Sequence, residues 1–334
     1  MGYQLTSTEF DVIFKKLKND YIILAPKLFT GGGHFSDTDL IRYGEIDSAD
    51  DIVFDQKSSN SFKEAMIPNI QTLFYFTEST MKESDEDDKP ILVFLRSCDL
   101  HAVKRLDEIY LKNGGEDFYY RRKRDKIHFV LMGCSHHFDN CFCVDMSTNQ
   151  CAKYDMSIDI IDNNYLIDCP NPTLATLFDT TASKQCEVTP QYVTETAIKV
   201  SVPSHLPSNI ASDPIWDEYD SRCIACGRCN FSCPTCSCYS MQDLFYDDND
   251  NVGERRRVWA SCMINGFTDV AGGGSYRQKQ GQRMRFKVLH KILDYQQRFG
   301  YHMCVGCGRC DDACPEYISF SNTINKLNNI EMEG

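Results

Sequence analysis

Apolar residues run unbroken from Ile91 to Leu95 and, interrupted only by His128, from Ile127 to Met132. Each run is short enough for a buried strand, and each ends in a polar turn, Arg96-Ser97-Cys98-Asp99 after the first and Gly133-Cys134 after the second. Between them, the stretch from Leu100 to Leu111 sets Val103, Leu106, Ile109 and Tyr110 on one face at helical spacing. Strand, helix and strand in that order predict a βαβ unit. If the two strands are parallel neighbours, Cys98 and Cys134 both stand at their carboxyl ends, where open α/β sheets carry ligand sites. The acidic run Glu83 to Asp88 before the first strand reads as a solvated loop. Further along, Met284, Val288, Ile292, Tyr295 and Phe299 recur at intervals of three and four, which predicts a helix with one buried stripe, and Gly300 supplies its stop. Pro203 and Pro207 break regular structure between Val202 and Ser208. The pattern therefore predicts a mixed α+β chain: a mixed α/β domain over residues 1–205 and a mostly helical, ferredoxin-like domain over 206–334.

Composition changes this picture in one respect. The 334 residues are 42% apolar, enough for two packed cores, yet the chain carries eighteen cysteines. A chain this long needs no disulfide framework to replace a missing core, so metal or redox chemistry is the better account of the thiols. The N-terminal sequence lacks a basic segment followed by an apolar run, and no apolar stretch is long enough to span a bilayer, which predicts a cytoplasmic protein. A net charge of −13 argues against nucleic acid or an anionic membrane as partner. The charge is uneven, however. Residues 254–298 hold ten Lys or Arg, among them Arg255, Arg256, Arg257, Arg283, Arg285 and Lys287, against Glu254, Asp269 and Asp294. Two readings fit: a solvated helix face, or a docking surface for an acidic partner protein.

The chemistry is concentrated in Cys223-x2-Cys226-x2-Cys229-x3-Cys233-Pro234 and Cys304-x2-Cys307-x2-Cys310-x3-Cys314-Pro315, two copies of the bacterial ferredoxin run. Three thiolates from one tight loop can occupy three corners of a [4Fe–4S] cubane, while the fourth cysteine, turned away at the proline, serves the other cluster. The expected ligand sets are Cys223, Cys226, Cys229 with Cys314, and Cys304, Cys307, Cys310 with Cys233. Paired Cys-x-x-Cys elements also bind zinc, but a zinc ribbon uses two cysteines per knuckle and here each loop brings three and a Cys-Pro. Gly227 and Gly308 precede Arg228 and Arg309 in the two loops, consistent with backbone amides lying close to cluster sulfurs.

A second group, Cys98, Cys134, Cys141 and Cys143, can hold a third cluster, or can be buried small hydrophobes or a lone reactive thiol. Cys151, Cys169 and Cys186 have no partners in the sequence, and His136 and His137 read as solvent-facing. Cys236, Cys238 and Cys262 are expected to pack around the clusters. No dinucleotide fingerprint or P-loop is present: Gly31-Gly32-Gly33 and Gly272-Gly273-Gly274 lack the frame, so flavin and NAD are expected on other chains.

Segments outside the cluster motifs resemble one family, the A subunit of anaerobic sulfite reductase. They are Gly33-His34-Phe35-Ser36-Asp37-Thr38-Asp39, Cys141-Phe142-Cys143-Val144, Tyr219-Asp220-Ser221-Arg222-Cys223-Ile224, Gly253-Glu254-Arg255-Arg256-Arg257, Trp259-Ala260-Ser261-Cys262-Met263 and Met303-Cys304-Val305-Gly306-Cys307. The resemblance implies an electron-transfer subunit of an NADH-dependent, dissimilatory-type sulfite reductase. A flavin subunit would oxidise NADH, this chain would relay electrons, and a sirohaem subunit would reduce sulfite to sulfide, with no substrate-converting centre on this chain. The family also resembles the iron–sulfur beta subunits of cytosolic sulfhydrogenases, so a hydrogenase or sulfur reductase subunit is the alternative. Both likenesses imply a third [4Fe–4S] cluster on Cys98, Cys134, Cys141 and Cys143. The sequence departs from the family at Ser97, where alanine or proline is expected, and at Gly274-Ser275-Tyr276, where a histidine-containing turn is expected.

Overall fold

The computed structural model describes residues 2–33, 35, 37–246 and 251–330. His34 and Ser36 of the first family-like segment lie outside these. The chain forms two compact units: Met1–Met66, Asp87–Ala197 and Val305–Cys307 make the first, and Ile67–Glu86, Ile198–Cys304 and Gly308–Gly334 the second.

The first unit is built on an eight-stranded sheet in the order Lys184–Gln185, Gly2–Leu5, Asn164–Asp168, Met156–Ile161, Ile127–Met132, Ile91–Leu95, Ile22–Phe29, Leu40–Glu45. The four strands from Met156–Ile161 to Ile22–Phe29 are parallel, and antiparallel strands close both edges. The two apolar runs seen in the sequence are neighbours in register, Ile91 opposite Ile127 and Leu95 opposite Leu131, joined through the helix Ser97–Lys112. The βαβ unit is thus present, because a run so rich in apolar residues suits a strand covered on both faces. Leu92, Phe94, Val130, Met132 and Ile158 are fully buried in one core with Phe10, Ile13 and Leu17 of the helix Ser7–Asp20. Each large side chain so buried stabilises by roughly 1.5–3 kcal/mol. Thr6 and Glu9 cap that helix reciprocally, fixing where it starts.

The second unit departs from the mostly helical expectation. Its largest sheet has four antiparallel strands, ordered Tyr239–Phe245, Gly253–Trp259, Ile70–Phe76, Met81–Glu83. The segment between the two ferredoxin runs folds as a hairpin and pairs with a strand from early in the chain, a long-range partner that local periodicity does not encode. The expected helix is present as Gln280–Leu289, a π-helical turn at His290–Asp294 and Tyr295–Phe299, with Gly300 in the left-handed conformation at its end. Met284, Val288, Ile292 and Tyr295 are buried as the stripe predicted.

The basic stretch obeys neither sequence reading throughout. Arg257, Arg283, Lys287 and Lys291 are only 3%, 4%, 4% and 3% exposed, so they form no solvated face and cannot meet a partner's surface. Arg257 donates to Gln71, and Arg283 to the carbonyls of Arg277 and Gln278 and to the Asn265 side chain. Arg257 thus ties its strand to the neighbouring strand Ile70–Phe76, and Arg283 pins the segment before its helix. The lysines are placed differently.

Candidate iron–sulfur centres

The two ferredoxin runs take the same backbone path. In the first, Cys223 ends the helix Glu218–Arg222, Ala225 and Gly227 have positive φ (55° and 75°), and Gly227 opens the short helix Arg228–Phe231 that carries Cys229. In the second, Gly306 and Gly308 have φ of 66° and 74°, and Gly308 opens the helix Arg309–Asp312 that carries Cys310. Successive turns of opposite hand point neighbouring amides into one concavity, a backbone nest for anions such as cluster sulfides. The helices Arg228–Phe231 and Arg309–Asp312 pack on each other, and the Ser232 hydroxyl donates to the Arg309 carbonyl over 3.3 Å.

Cys223, Cys226, Cys229 and Cys314 line one cavity, with Met263, Met284, Lys287 and Phe320 among its walls. This is the set expected for the first cluster, with the fourth cysteine coming from the other run. Among the described residues, no three His, Cys, Asp or Glu side chains close on a single metal-ion position. Four thiols spaced around an apolar cavity suit a multi-iron group better than a lone zinc ion, whose four ligands sit about 2.3 Å from one centre. The donor set therefore fits a [4Fe–4S] cluster, which supplies one-electron transfer when bound.

Of the second set, Cys233 accepts a contact from the Lys291 ammonium at 3.4 Å, and Lys291 also donates to the Thr235 hydroxyl at 2.9 Å. A hydrogen bond from Cys236, together with the Lys291 charge, holds the Cys233 thiol well below the usual range despite its burial. Burial pulls both ammoniums down, but the thiolates around them outweigh it and raise both: Cys229 and Cys310 at Lys287, and Cys233, Cys236 and Cys304 at Lys291. Cys307 belongs with the first unit.

In that unit, Cys98 lies in the first turn of the helix Ser97–Lys112, where the helix dipole favours an anionic ligand. Cys134 stands two residues beyond the neighbouring strand, its amide bonded to the Gln191 carbonyl at 2.9 Å. Arg96 braces this corner by donating to the carbonyls of Gly133 and Phe54 and lying 5.1 Å over the Phe138 ring. Cys141 and Cys143 are buried on a loop whose Phe142 amide bonds the Gly306 carbonyl at 2.8 Å, and the Cys141 thiol donates to the Cys307 carbonyl at 3.4 Å. Burial, and then the neighbouring Cys141, Cys134 and Cys307, push the Cys143 thiol up to about 12. Burial likewise raises Cys134 against the opposing pull of Arg96. Cys141, Cys134 and Cys307 are thus the thiols near Cys143. Next to Cys98 in the chain, the Ser97 hydroxyl is buried with no hydrogen-bond partner among the described residues.

The remaining candidates separate cleanly. His136 and His137 are exposed, and Cys169 is a member of the hydrophobic core. Cys151 is half-buried with its thiol 3.7 Å from the Lys153 carbonyl, and Cys186 is half-buried too. Cys236 and Cys262 are buried in the second unit, and Asn230 donates to Cys262 at 3.0 Å. The thiol of Cys262 is raised first by its hydrogen bond with Cys238 and then by burial. Sequence reasoning missed the inward lysines. Their spacing carried the signal, since Lys287 and Lys291 fall one turn apart within the stripe that Met284, Val288 and Ile292 define.

With this geometry, the molecule is of the iron–sulfur class, and residues 222–318 match the family described as the 4Fe-4S dicluster domain. Over 301 residues the chain is 26% identical to sulfhydrogenase 2 subunit beta of Pyrococcus furiosus, covering 86% of this chain and 88% of that protein. A stretch of 123 residues, 37% of this chain, is 23% identical to F420-dependent formate dehydrogenase subunit beta of Methanocaldococcus jannaschii, of which it covers 24%. The expected kinship with sulfhydrogenase beta subunits is therefore borne out. No solved structure matches the chain. No helix among the described residues is long and apolar enough to cross a membrane.

Proposed function

We propose that this chain is the electron-relay subunit of a cytoplasmic multisubunit oxidoreductase, carrying [4Fe–4S] clusters between a partner that oxidises a reduced carrier and a partner that reduces the final acceptor. The cavity lined by Cys223, Cys226, Cys229 and Cys314 carries this reading, because it joins cysteines from both ferredoxin runs as an interlocked cluster pair requires. Cys304, Cys307, Cys310 and Cys233 would hold the second cluster, and Cys98, Cys134, Cys141 and Cys143 a third. The chain's own residues supply thiolates, backbone amides and buried cations. The segments resembling the anaerobic sulfite reductase family favour a flavin subunit that oxidises NADH as donor partner and a sirohaem subunit that reduces sulfite as acceptor partner.

A second reading is favoured by the similarity to the Pyrococcus furiosus sulfhydrogenase protein over most of the chain. There the acceptor end would be a hydrogenase or sulfur-reducing subunit. Anaerobic purification of the complex through a tag on this chain separates them: sirohaem absorption in the co-purified material supports sulfite reduction, and nickel supports the hydrogenase reading. A complex whose clusters stay oxidised under excess NADH, while dithionite reduces them, would overturn the NADH-linked relay.

A further inference from the structure

Lys287 and Lys291 present two ammonium groups on one face of one helix, a turn apart, both inside the second unit. Removing an ammonium from water costs several kcal/mol unless charge or hydrogen bonding offsets it. Arg283, equally buried on the same helix, meets that need with two backbone carbonyls and Asn265. Lys291 donates instead to the Thr235 hydroxyl and the Cys233 sulfur. Lys287 reaches into the cavity of Cys223, Cys226, Cys229 and Cys314, its ammonium 5.0 Å above the Phe320 ring centroid. A surface lysine reaching inward by accident would leave its head in water, as long charged side chains normally do. These two bury theirs against sulfur.

We infer that Lys287 and Lys291 are internal counter-charges that set the reduction potentials of the two C-terminal clusters, Lys287 at the set containing Cys229 and Lys291 at the set containing Cys233. This rests on the proposed ligand sets. A cluster held by four thiolates is anionic and gains a further negative charge on reduction. A fixed positive charge a few ångströms away in a poorly screened interior favours the reduced form. Each lysine therefore moves its cluster to a higher potential. Neither residue touches substrate, so the role is one of tuning.

The test is an EPR-monitored potentiometric titration of the anaerobically purified full chain, with iron and acid-labile sulfide measured first. Variants Lys287→Met, Lys291→Met, Lys287→Arg and Lys291→Arg are compared with the parent. Each Met variant should retain its iron and, at a fixed poise, show a tenfold lower ratio of reduced to oxidised form at its own cluster, about 59 mV downward for one electron. The Arg variants should restore most of the shift. Unmoved potentials in iron-loaded Met variants overturn the inference. If a Met variant fails to load iron, the matching Arg variant decides: loading supports a charge requirement, and failure of both marks a purely steric position and overturns it. A parent chain without iron overturns the ligand sets instead, before any lysine is compared.

Discussion

The C-terminal cysteines sit on two short loops of matching conformation, each wound through two positive-φ residues into a one-turn helix, and the cavity beside the first loop draws a cysteine from the other run. The N-terminal cysteines have no such frame: Cys98 and Cys134 come from the ends of two parallel strands, and Cys141 and Cys143 from the loop that follows. In the first case a local motif dictates the site. In the second the sheet sets Cys98 and Cys134 at the ends of neighbouring strands, because Leu95 and Leu131 are in register. One consequence is mechanical. Removing a ligand from an interlocked pair disturbs both clusters, whereas the strand-end site should be lost alone.

That contrast can be broken by experiment. The largest effect is expected from Cys226→Ser combined with Cys310→Ser, which removes one ligand from each C-terminal set. Iron should fall by about eight per chain. Cys98→Ser with Cys134→Ser should lower it by about four and leave the C-terminal EPR signals in place. Loss of only a small fraction of one iron in the second pair would show the N-terminal thiols to be packing residues.

A smaller effect distinguishes the two loops themselves. A Cβ at Gly306 would lie 2.6 Å from the Phe142 carbonyl oxygen in a backbone already at φ of 66°, while the matching position of the first loop is natively Ala225. Gly306→Ala should cost about 1–3 kcal/mol in urea unfolding, and Ala225→Gly less than about 1 kcal/mol. Equal costs would mean that the second loop is no more constrained than the first. Iron content should change least of all at Cys169, a core thiol. Cys169→Ala should cost about 1 kcal/mol by thermal melting and leave the iron content unchanged.

Much of this was legible in the sequence, for identifiable reasons. Ferredoxin spacing is a local code, so the eight C-terminal cysteines announce themselves. The runs Ile91–Leu95 and Ile127–Met132 name their strands because a doubly covered strand is apolar almost throughout. The pairing of Gly253–Trp259 with Ile70–Phe76 was hidden, since the partners are far apart in the chain. So was the burial of Lys287 and Lys291: charge is normally solvent-facing, and here surrounding sulfur, with the Thr235 hydroxyl at Lys291 and the Phe320 ring at Lys287, makes an inward ammonium tolerable. Gly133 looked like an ordinary turn, yet a Cβ there would fall 1.7 Å from an Asp159 carboxylate oxygen, so the approach to Cys134 depends on its absence.

The central claim is that this chain holds clusters at both kinds of site, and iron with acid-labile sulfide per chain after strictly anaerobic purification tests it most directly. About twelve of each are expected for three [4Fe–4S] clusters. About eight would confine the clusters to the interlocked pair, and a colourless, iron-free protein would contradict the account.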